Sequence, residues 1–92
     1  MAYEVRKVPE RSRYELVVDD EVLGIADYRV RDGFVLLPHT VIASAHRGQG
    51  LGDVLVEGVL ADVRAEGKKA VPLCWFVADY VERHEEVADL VA

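Results

Sequence analysis

The residues with the clearest chemical meaning lie in a glycine-rich segment over 46–52, His-Arg-Gly-Gln-Gly-Leu-Gly. It runs directly into an apolar-rich stretch that predicts a helix over 51–66. The first N–H groups of a helix lack intrahelical acceptors and lie at the positive end of the helix dipole. Glycines have no Cβ, so an anion can approach those groups closely. The segment therefore predicts a phosphate cradle, with a plain glycine-rich turn as the alternative.

The spacing excludes two common phosphate loops. A Walker loop needs a lysine directly after its last glycine, but Asp53 follows Gly52 and the next lysine is Lys68. A dinucleotide loop needs GxGxxG and an acidic residue about twenty positions later. Here the glycines run GxGxG, and the later region, residues 71–73, reads Val-Pro-Leu.

Composition predicts one globular domain over residues 1–92. The chain is 51% hydrophobic and 30% charged, with a formal net charge of −6, which argues against a nucleic-acid binder because such a protein needs a basic face. An acidic surface suits a cationic amine or a basic peptide. The chain has a single cysteine and its three histidines are separated, so neither a disulfide nor a metal site is expected.

A membrane protein is not expected either. No apolar run approaches the ~20 residues needed to cross a bilayer. Residues 1–10 carry charges where a signal peptide would have its apolar core. We therefore expect a cytoplasmic protein.

Four strands are predicted before the glycine segment, over 3–8, 13–19, 21–31 and 34–42. Asp19-Asp20 and Asp32-Gly33 have the composition of hairpin turns, the second being the strongest such signal in the chain. The fourth strand is apolar almost throughout, which is typical of a strand covered on both faces. Pro38 cannot donate to a ladder, so we expect a bulge there and an opening of the sheet.

After the glycine segment, the pattern predicts the helix over 51–66, a strand over 69–73, a second helix over 76–84 and a short tail over 87–92. A strand, helix and strand in succession favour a parallel crossover. The fold class is thus α/β, with a mixed, mostly antiparallel sheet of about five strands and two helices. The first helix is expected to bury residues at helical spacing, namely Leu51, Val54, Leu55, Val59 and Val63.

Residues 47–52 resemble the RxxGxG pyrophosphate loop of the Gcn5-related N-acetyltransferases, which grips coenzyme A. Further segments, Leu-Pro-His-Thr at 37–40, Val-Pro-Leu-Cys at 71–74 and Tyr-Val-Glu-Arg-His at 80–84, are similar to a small single-domain branch described as YjdJ-like. The resemblance implies a minimal acetyltransferase fold. It also implies acetyl-CoA or coenzyme A as the cofactor, and acetyl transfer to an amine of a small molecule or peptide.

The resemblance also implies which residues bind the cofactor. Backbone groups of Val41 and Ile42 would hold the pantetheine arm and the acetyl carbonyl. Arg83 is a candidate on its own chemistry and not from the resemblance: it either meets a cofactor phosphate or caps the negative end of its helix. The pyrophosphate would lie on the loop residues Arg47, Gly48, Gln49, Gly50, Leu51 and Gly52.

Three residues are candidates for the chemistry. Cys74 precedes a helix, where the dipole favours a thiolate, and the resemblance implies that it faces the pantetheine as a nucleophile or thioester contact. A buried structural thiol is the alternative. His39 is the natural base, or a core histidine, and would pair with Cys74 across adjacent strands. Tyr80 matches the tyrosine that protonates the departing thiolate in related enzymes, or it packs in the core.

The chain is short compared with larger members of the superfamily. The elements that usually shape their acceptor pocket are absent from it. Two alternatives to an active acetyltransferase therefore stay open: a coenzyme A binding module with little or no turnover, and a non-catalytic interaction protein on the same fold. Trp75 is either a core wall or a binding platform.

Overall fold

The computed structural model describes residues 2–92, and its five-stranded sheet follows the order of the chain, β1-β2-β3-β4-β5. The first four strands pair antiparallel, and β5 joins β4 in parallel. This confirms the predicted mixed, mostly antiparallel sheet. The strands are β1 (Glu4–Val8), β2 (Arg13–Val18), β3 (Glu21–Arg31), β4 (Phe34–Ile42) and β5 (Lys69–Pro72).

Both predicted hairpin turns form. Asp19 and Asp20 have φ of 49° and 66°, and Asp32 and Gly33 have φ of 53° and 83°. Positive φ at both central residues is the signature of a type I′ turn, whose twist matches that of the flanking strands. Aspartate tolerates this region because its short side chain can hydrogen-bond locally.

Two helices, α1 (Leu51–Ala65) and α2 (Trp75–Arg83), complete the core with a short 3₁₀ helix (Glu85–Leu90). The buried side of α1 is wider than predicted, because Val56 and Leu60 are fully buried in addition to the expected residues, whereas Val54 is only half-buried. Among residues 2–92, no helix has the length and apolarity to cross a membrane.

The prediction that β4 is covered on both faces was wrong. Val35 and Leu37 are buried, but Leu36 is only half-buried and Phe34 is exposed. Alternate side chains of a strand point to opposite faces. The core against α1 takes Val35 and Leu37, so this strand is covered on one face only.

The predicted tail also has more structure than expected. Residues 85–90 form the 3₁₀ helix, and Val91 then makes a parallel bridge to Ala70 of β5. The N–H of Ala92 donates to the carbonyl of Ala70 over 3.0 Å. The end of the described chain therefore covers the outer edge of β5.

The bulge predicted at Pro38 is present. Asp27 pairs with His39 and Arg29 pairs with Leu36, so Leu37 and Pro38 of β4 together oppose the single residue Tyr28 of β3. Pairing between β4 and β5 ends at Leu37 and Pro72. Beyond this point β4 continues to Ile42 paired with β3, and no second strand among residues 2–92 pairs with it, so the sheet opens.

Polar contacts fix α1 on the sheet. The buried hydroxyl of Tyr14 on β2 donates to the carboxylate of Asp62 on α1 over 2.6 Å. Burial, followed by this bond and the charge of Asp62, raises the pKa of Tyr14 far above its usual range. Lys7 of β1 donates to Glu66, just beyond α1, over 2.8 Å. Lys7 and Tyr14 pair with each other across β1 and β2, so these bonds tie the turn end of this hairpin to the C-terminal end of the helix.

Candidate active site

A cleft of about 500 Å³ lies where β4 and β5 separate. Four segments build its walls: the end of β4, the glycine loop, the first turn of α1 and the first turn of α2. Its lining combines glycines, which expose their backbone, with aromatic and aliphatic side chains. The lining residues are Thr40, Val41, Ile42, His46, Arg47, Gly48, Gly50, Leu51, Gly52, Asp53, Trp75 and Phe76.

The glycine loop leaves the start of α1 uncapped. Gly48 and Gly50 have φ of 81° and 75°, a left-handed conformation that side chains disfavour. Gly50 is the N-cap residue, and no side chain caps the helix. Within residues 2–92, the first N–H of α1 with an acceptor is that of Val54, which donates to Gly50 over 3.5 Å. The preceding N–H groups are therefore available to an anion.

Gly52 is required for a different reason. A Cβ at this position would collide with the aromatic ring of Phe76 on α2. The missing side chain lets the first turns of α1 and α2 pack closely together. From the sequence, we expected the loop glycines to let a phosphate approach the backbone closely. At Gly52 the close neighbour is instead the ring of Phe76 on α2.

Arg47 and Thr40 present polar groups at the open edge of β4. The Nε of Arg47 donates to the carbonyl of Ile42 over 3.2 Å, while the side chain remains exposed beside the cleft. The Oγ1 of Thr40 is buried and has no hydrogen-bond partner within residues 2–92. A buried hydroxyl without a partner costs free energy, so this atom points to a ligand group that would satisfy it.

Most of the predicted cofactor residues line this cleft. They are Val41, Ile42, Arg47, Gly48, Gly50, Leu51 and Gly52, whereas Gln49 is exposed in the loop but outside the lining. Sequence reasoning did not place Thr40, Asp53 or Phe76 here. Trp75 is 77% exposed and lines the cleft, so it is not a core wall.

The structure does not bring Cys74 and His39 into hydrogen-bonding contact within residues 2–92. Cys74 is a free, half-buried thiol before α2, and its N–H donates to the carbonyl of Leu37 over 3.0 Å. His39 is exposed, with its Nδ1 3.2 Å from Oδ2 of Asp27. Because the neighbouring Ala26 is in the helix-side core, Asp27 and His39 point to the opposite face.

Tyr80 and Arg83 lie apart from the cleft lining. Tyr80 is 3% exposed and stacks on the ring of His84 with a centroid separation of 3.8 Å. It lines a second cleft on the other side of α2. Arg83 binds Asp53 and Asp79 through hydrogen bonds of 3.1 and 2.9 Å, and these bonds raise its pKa.

A family model described as GCN5-related N-acetyl-transferase matches residues 13–90. The chain belongs to the GCN5-related N-acetyltransferase family. The match begins at β2 and ends in the 3₁₀ helix, and it includes all four segments that build the first cleft. The resemblance found in the loop therefore extends over most of the chain. For the wider family, the resemblance is confirmed.

A solved structure supports the same fold. The solution structure of a GCN5-like protein from Staphylococcus aureus matches with a TM-score of 0.73 and 21% sequence identity. The match covers 97% of this chain and 87% of the other. At this identity the likeness concerns the fold, and it agrees with the predicted minimal acetyltransferase architecture. A search of curated proteins gives no match.

Proposed function

We propose that this chain is a single-domain N-acetyltransferase of the YjdJ-like branch that binds acetyl-CoA and transfers the acetyl group to an amine of a small molecule or peptide. One observation carries the proposal: the uncapped first turn of α1 opens onto the gap between β4 and β5. A phosphate-binding terminus and an open strand edge thus share one cleft.

The residues fit coenzyme A. The free N–H groups of Leu51, Gly52 and Asp53, together with Arg47, suit a pyrophosphate in charge and hydrogen-bonding capacity. The unpaired edge of β4 suits an extended arm bearing amides, because a strand edge offers backbone donors and acceptors. The unpartnered Oγ1 of Thr40 adds a side-chain group at that edge.

When bound, acetyl-CoA supplies an activated thioester. The backbone of Val41 and Ile42, on the edge of β4 that has no strand partner, orients its carbonyl and stabilises the charge that develops there. Thr40 is positioned to donate a hydrogen bond in the same region.

His39 is the proposed base. With its Nδ1–H donating to Asp27, the ring keeps Nε2 free to accept a proton from an incoming ammonium group. Its position on the helix-free face favours an acceptor that reaches the gap from that side. Cys74 is the proposed nucleophile or thioester contact. Because Tyr80 lines the other cleft, the proposed mechanism assigns no proton transfer to it.

A coenzyme A binding module with little turnover is the second candidate. It is favoured by one observation, namely that Cys74, His39 and Tyr80 all lie outside the lining of the first cleft. Both candidates require the phosphate cradle. They differ in whether thiol is released from acetyl-CoA over time when amines are supplied.

The cradle can be tested with a pair of isosteric variants. Gly50 has a left-handed φ, which Gly50→Asp and Gly50→Asn must both adopt. Aspartate and asparagine both tolerate this conformation, and their side chains are equal in size. Only aspartate adds a negative charge beside the pyrophosphate. We expect calorimetry to give coenzyme A binding to the wild type, a loss of about threefold for Gly50→Asn, and a loss of about a hundredfold for Gly50→Asp.

Equal affinities for the two variants, with folding verified by circular dichroism, would refute the cradle. A second measurement separates the candidates: thiol release from acetyl-CoA in a screen of amines. Release that depends on an amine supports the transferase. Tight binding without release, across small amines and lysine peptides, supports the binding module.

A further inference from the structure

The face of the sheet away from the helices carries two arginines beside apolar side chains. Phe34 and Leu36 alternate with the buried residues of β4 and therefore point to this helix-free face. Arg29 of β3 lies directly opposite Leu36, and Arg31 lies directly opposite Phe34. Opposed residues of paired strands point to the same face, so both arginines stand on it. Val71 of β5 pairs with Leu36 from the other side. We call these five residues the arginine patch.

The arginine patch is open to a partner. Both arginines are exposed and Phe34 is 39% exposed, while Leu36 and Val71 are half-buried. Neighbouring strands lie about 4.8 Å apart, so the apolar side chains of β4 and β5 form one surface beside the two guanidinium groups. Apolar surface with a polar rim is typical of interaction sites. The patch shares no residue with the lining of the first cleft.

The two arginines of the patch differ from the other basic residues of the chain. The sequence has 11 lysines and arginines against 17 aspartates and glutamates, so carboxylates are in excess. Among residues 2–92, every lysine and arginine except Arg29 and Arg31 makes a side-chain hydrogen bond or an ion pair. The two exceptions are two residues apart on one strand and share one face. Their guanidinium groups are therefore left for an anionic group from outside the chain.

The carboxylates of the chain do not cancel this local positive charge. Asp27 stands on the same face but contacts the ring of His39 over 3.2 Å. Asp32 follows Arg31 directly and makes no ion pair with it in the described part of the chain. Residues 51–92, which form the helices and β5, hold nine carboxylates against four lysines and arginines. The helices lie on the opposite side of the sheet, and salt screens charges over about 8 Å, which is less than the roughly 10 Å diameter of a helix.

We propose that the arginine patch docks an acidic segment of a partner protein. Two carboxylates of the segment bind Arg29 and Arg31, and large apolar side chains beside them cover Phe34, Leu36 and Val71. Arginine binds a carboxylate through two parallel hydrogen bonds, which makes it the better choice for such recognition than lysine. The two arginines are separated by roughly 6.7 Å along β3, so carboxylates from neighbouring same-side residues of one segment reach both at once.

Other anionic partners fit the patch less well. A nucleic acid or an anionic membrane presents charge over a wider surface and would also face the carboxylates of a chain with a formal net charge of −6. A lone inorganic anion would leave the apolar side chains uncovered. A second copy of this chain would place its acidic helices on the patch only in a head-to-tail contact, which does not close into a dimer.

The first test uses the full chain without coenzyme A and a bead-displayed library of random heptapeptides. We expect the selected peptides to be enriched in aspartate, glutamate and large apolar residues relative to the input library. The double variant Arg29→Gln/Arg31→Gln should lose this enrichment. No enrichment of acidic residues by the wild type, or equal enrichment by the double variant, would overturn the proposal.

The second test measures the affinity of one selected peptide, labelled with fluorescein, by anisotropy. Arg29→Gln and Arg31→Gln should each weaken binding about fivefold, and Phe34→Ser about threefold, since charged partners contribute more than neutral ones. The matched control is Arg6→Gln, which removes an exposed arginine already paired with Glu4 and should change affinity less than about twofold. An equal loss in the control would mean that general charge, and not the patch, binds the peptide. Thermal melting checks that each variant folds.

Two further measurements place the site and identify the class of partner. Gly50→Asp disrupts the first cleft and should bind the peptide like the wild type, whereas loss of binding would place the peptide in that cleft and overturn the docking surface. The double arginine variant should in turn bind coenzyme A like the wild type, so this proposal and the acetyl-transfer proposal fail independently. Binding of phosphatidylserine vesicles or short single-stranded RNA that depends on both arginines, without peptide binding, would overturn the protein partner.

Discussion

The guanidinium of Arg83 holds the carboxylate of Asp53 through hydrogen bonds of 3.1 and 3.4 Å. Asp53 is in the first turn of α1 and lines the first cleft. Its charge suits the helix dipole but would repel a phosphate at the same terminus. Arg83 lies on α2 and offsets that charge. In the proposed complex with coenzyme A, Arg83 would therefore act on the cofactor through Asp53.

This relationship predicts non-additive effects on coenzyme A affinity. Arg83→Ala should weaken binding about fivefold, because it leaves the charge of Asp53 uncompensated beside the phosphates. Asp53→Asn should leave affinity unchanged or improve it. The double variant should then bind like Asp53→Asn alone in calorimetry. Arg64→Ala removes a similarly paired arginine at the second cleft and serves as the control. Strictly additive losses would contradict this prediction.

A second prediction concerns the bond between Tyr14 and Asp62. Tyr14→Phe removes a 2.6 Å hydrogen bond to a carboxylate from a site that is 2% exposed. We expect the free energy of unfolding in urea to fall by about 1–2 kcal/mol. The matched control is Tyr28→Phe, since Tyr28 packs on Tyr14 at 5.2 Å but its hydroxyl makes no hydrogen bond within residues 2–92. Equal losses in the two variants would mean that packing, and not the bond, carries the effect.

A third prediction concerns acid stability. Hydrogen bonds from Lys7 and Lys68 lower the pKa of Glu66 in the folded protein. The resulting stability is present above the unfolded pKa of about 4.3 and is lost as the pH falls through the lower folded value. Because the site is largely exposed, the contribution is roughly a few tenths of a kcal/mol.

The measurement is the melting temperature between pH 7 and pH 3. Glu66→Gln should melt slightly below the wild type at pH 7, and the difference should vanish by pH 3. Glu10→Gln, which removes an exposed carboxylate without an ion pair among residues 2–92, should track the wild type throughout. A difference for Glu66→Gln that persists at pH 3 would contradict an electrostatic origin.

The fourth prediction separates covalent from direct acetyl transfer. If Cys74 is the nucleophile, a quenched reaction with acetyl-CoA should leave an acetyl mass on the peptide that contains Cys74. Asp27→Asn and His39→Ala should slow the amine-dependent release of thiol about tenfold or more, since they remove the base that accepts the ammonium proton or its orienting partner. If Cys74 only contacts the thioester, Cys74→Ala and Cys74→Ser should both weaken binding modestly and retain turnover. Full acetyl-transfer activity in Cys74→Ala would show that Cys74 is not the nucleophile.

The sequence predicted those features that depend on local chemistry. The hairpins follow from Asp19-Asp20 and Asp32-Gly33, whose residue types favour positive φ. The bulge follows from the missing N–H of Pro38. The uncapped start of α1 follows from glycines placed before a helix. Each of these signals lies within a few neighbouring residues, so no knowledge of the packing was needed.

Features set by packing were not accessible in this way. The apolar run of β4 does not reveal that the helices cover only the side of Val35 and Leu37. The side chain of Tyr80 faces the second cleft because of how α2 is rotated against α1, and helix periodicity alone does not fix that rotation. The pair formed by Asp53 and Arg83 joins two helices that are separated in sequence by a strand.

The order of the strands has a consequence for how the chain folds. Every strand pairs with its neighbour in sequence, so each of the first three pairings closes only a short loop and loses little chain entropy. These hairpins can form while the later residues are still being synthesised. The parallel addition of β5 must wait until α1 has been made. The gap beside Pro38, and with it the first cleft, is therefore the last part of the sheet to be assembled on the ribosome.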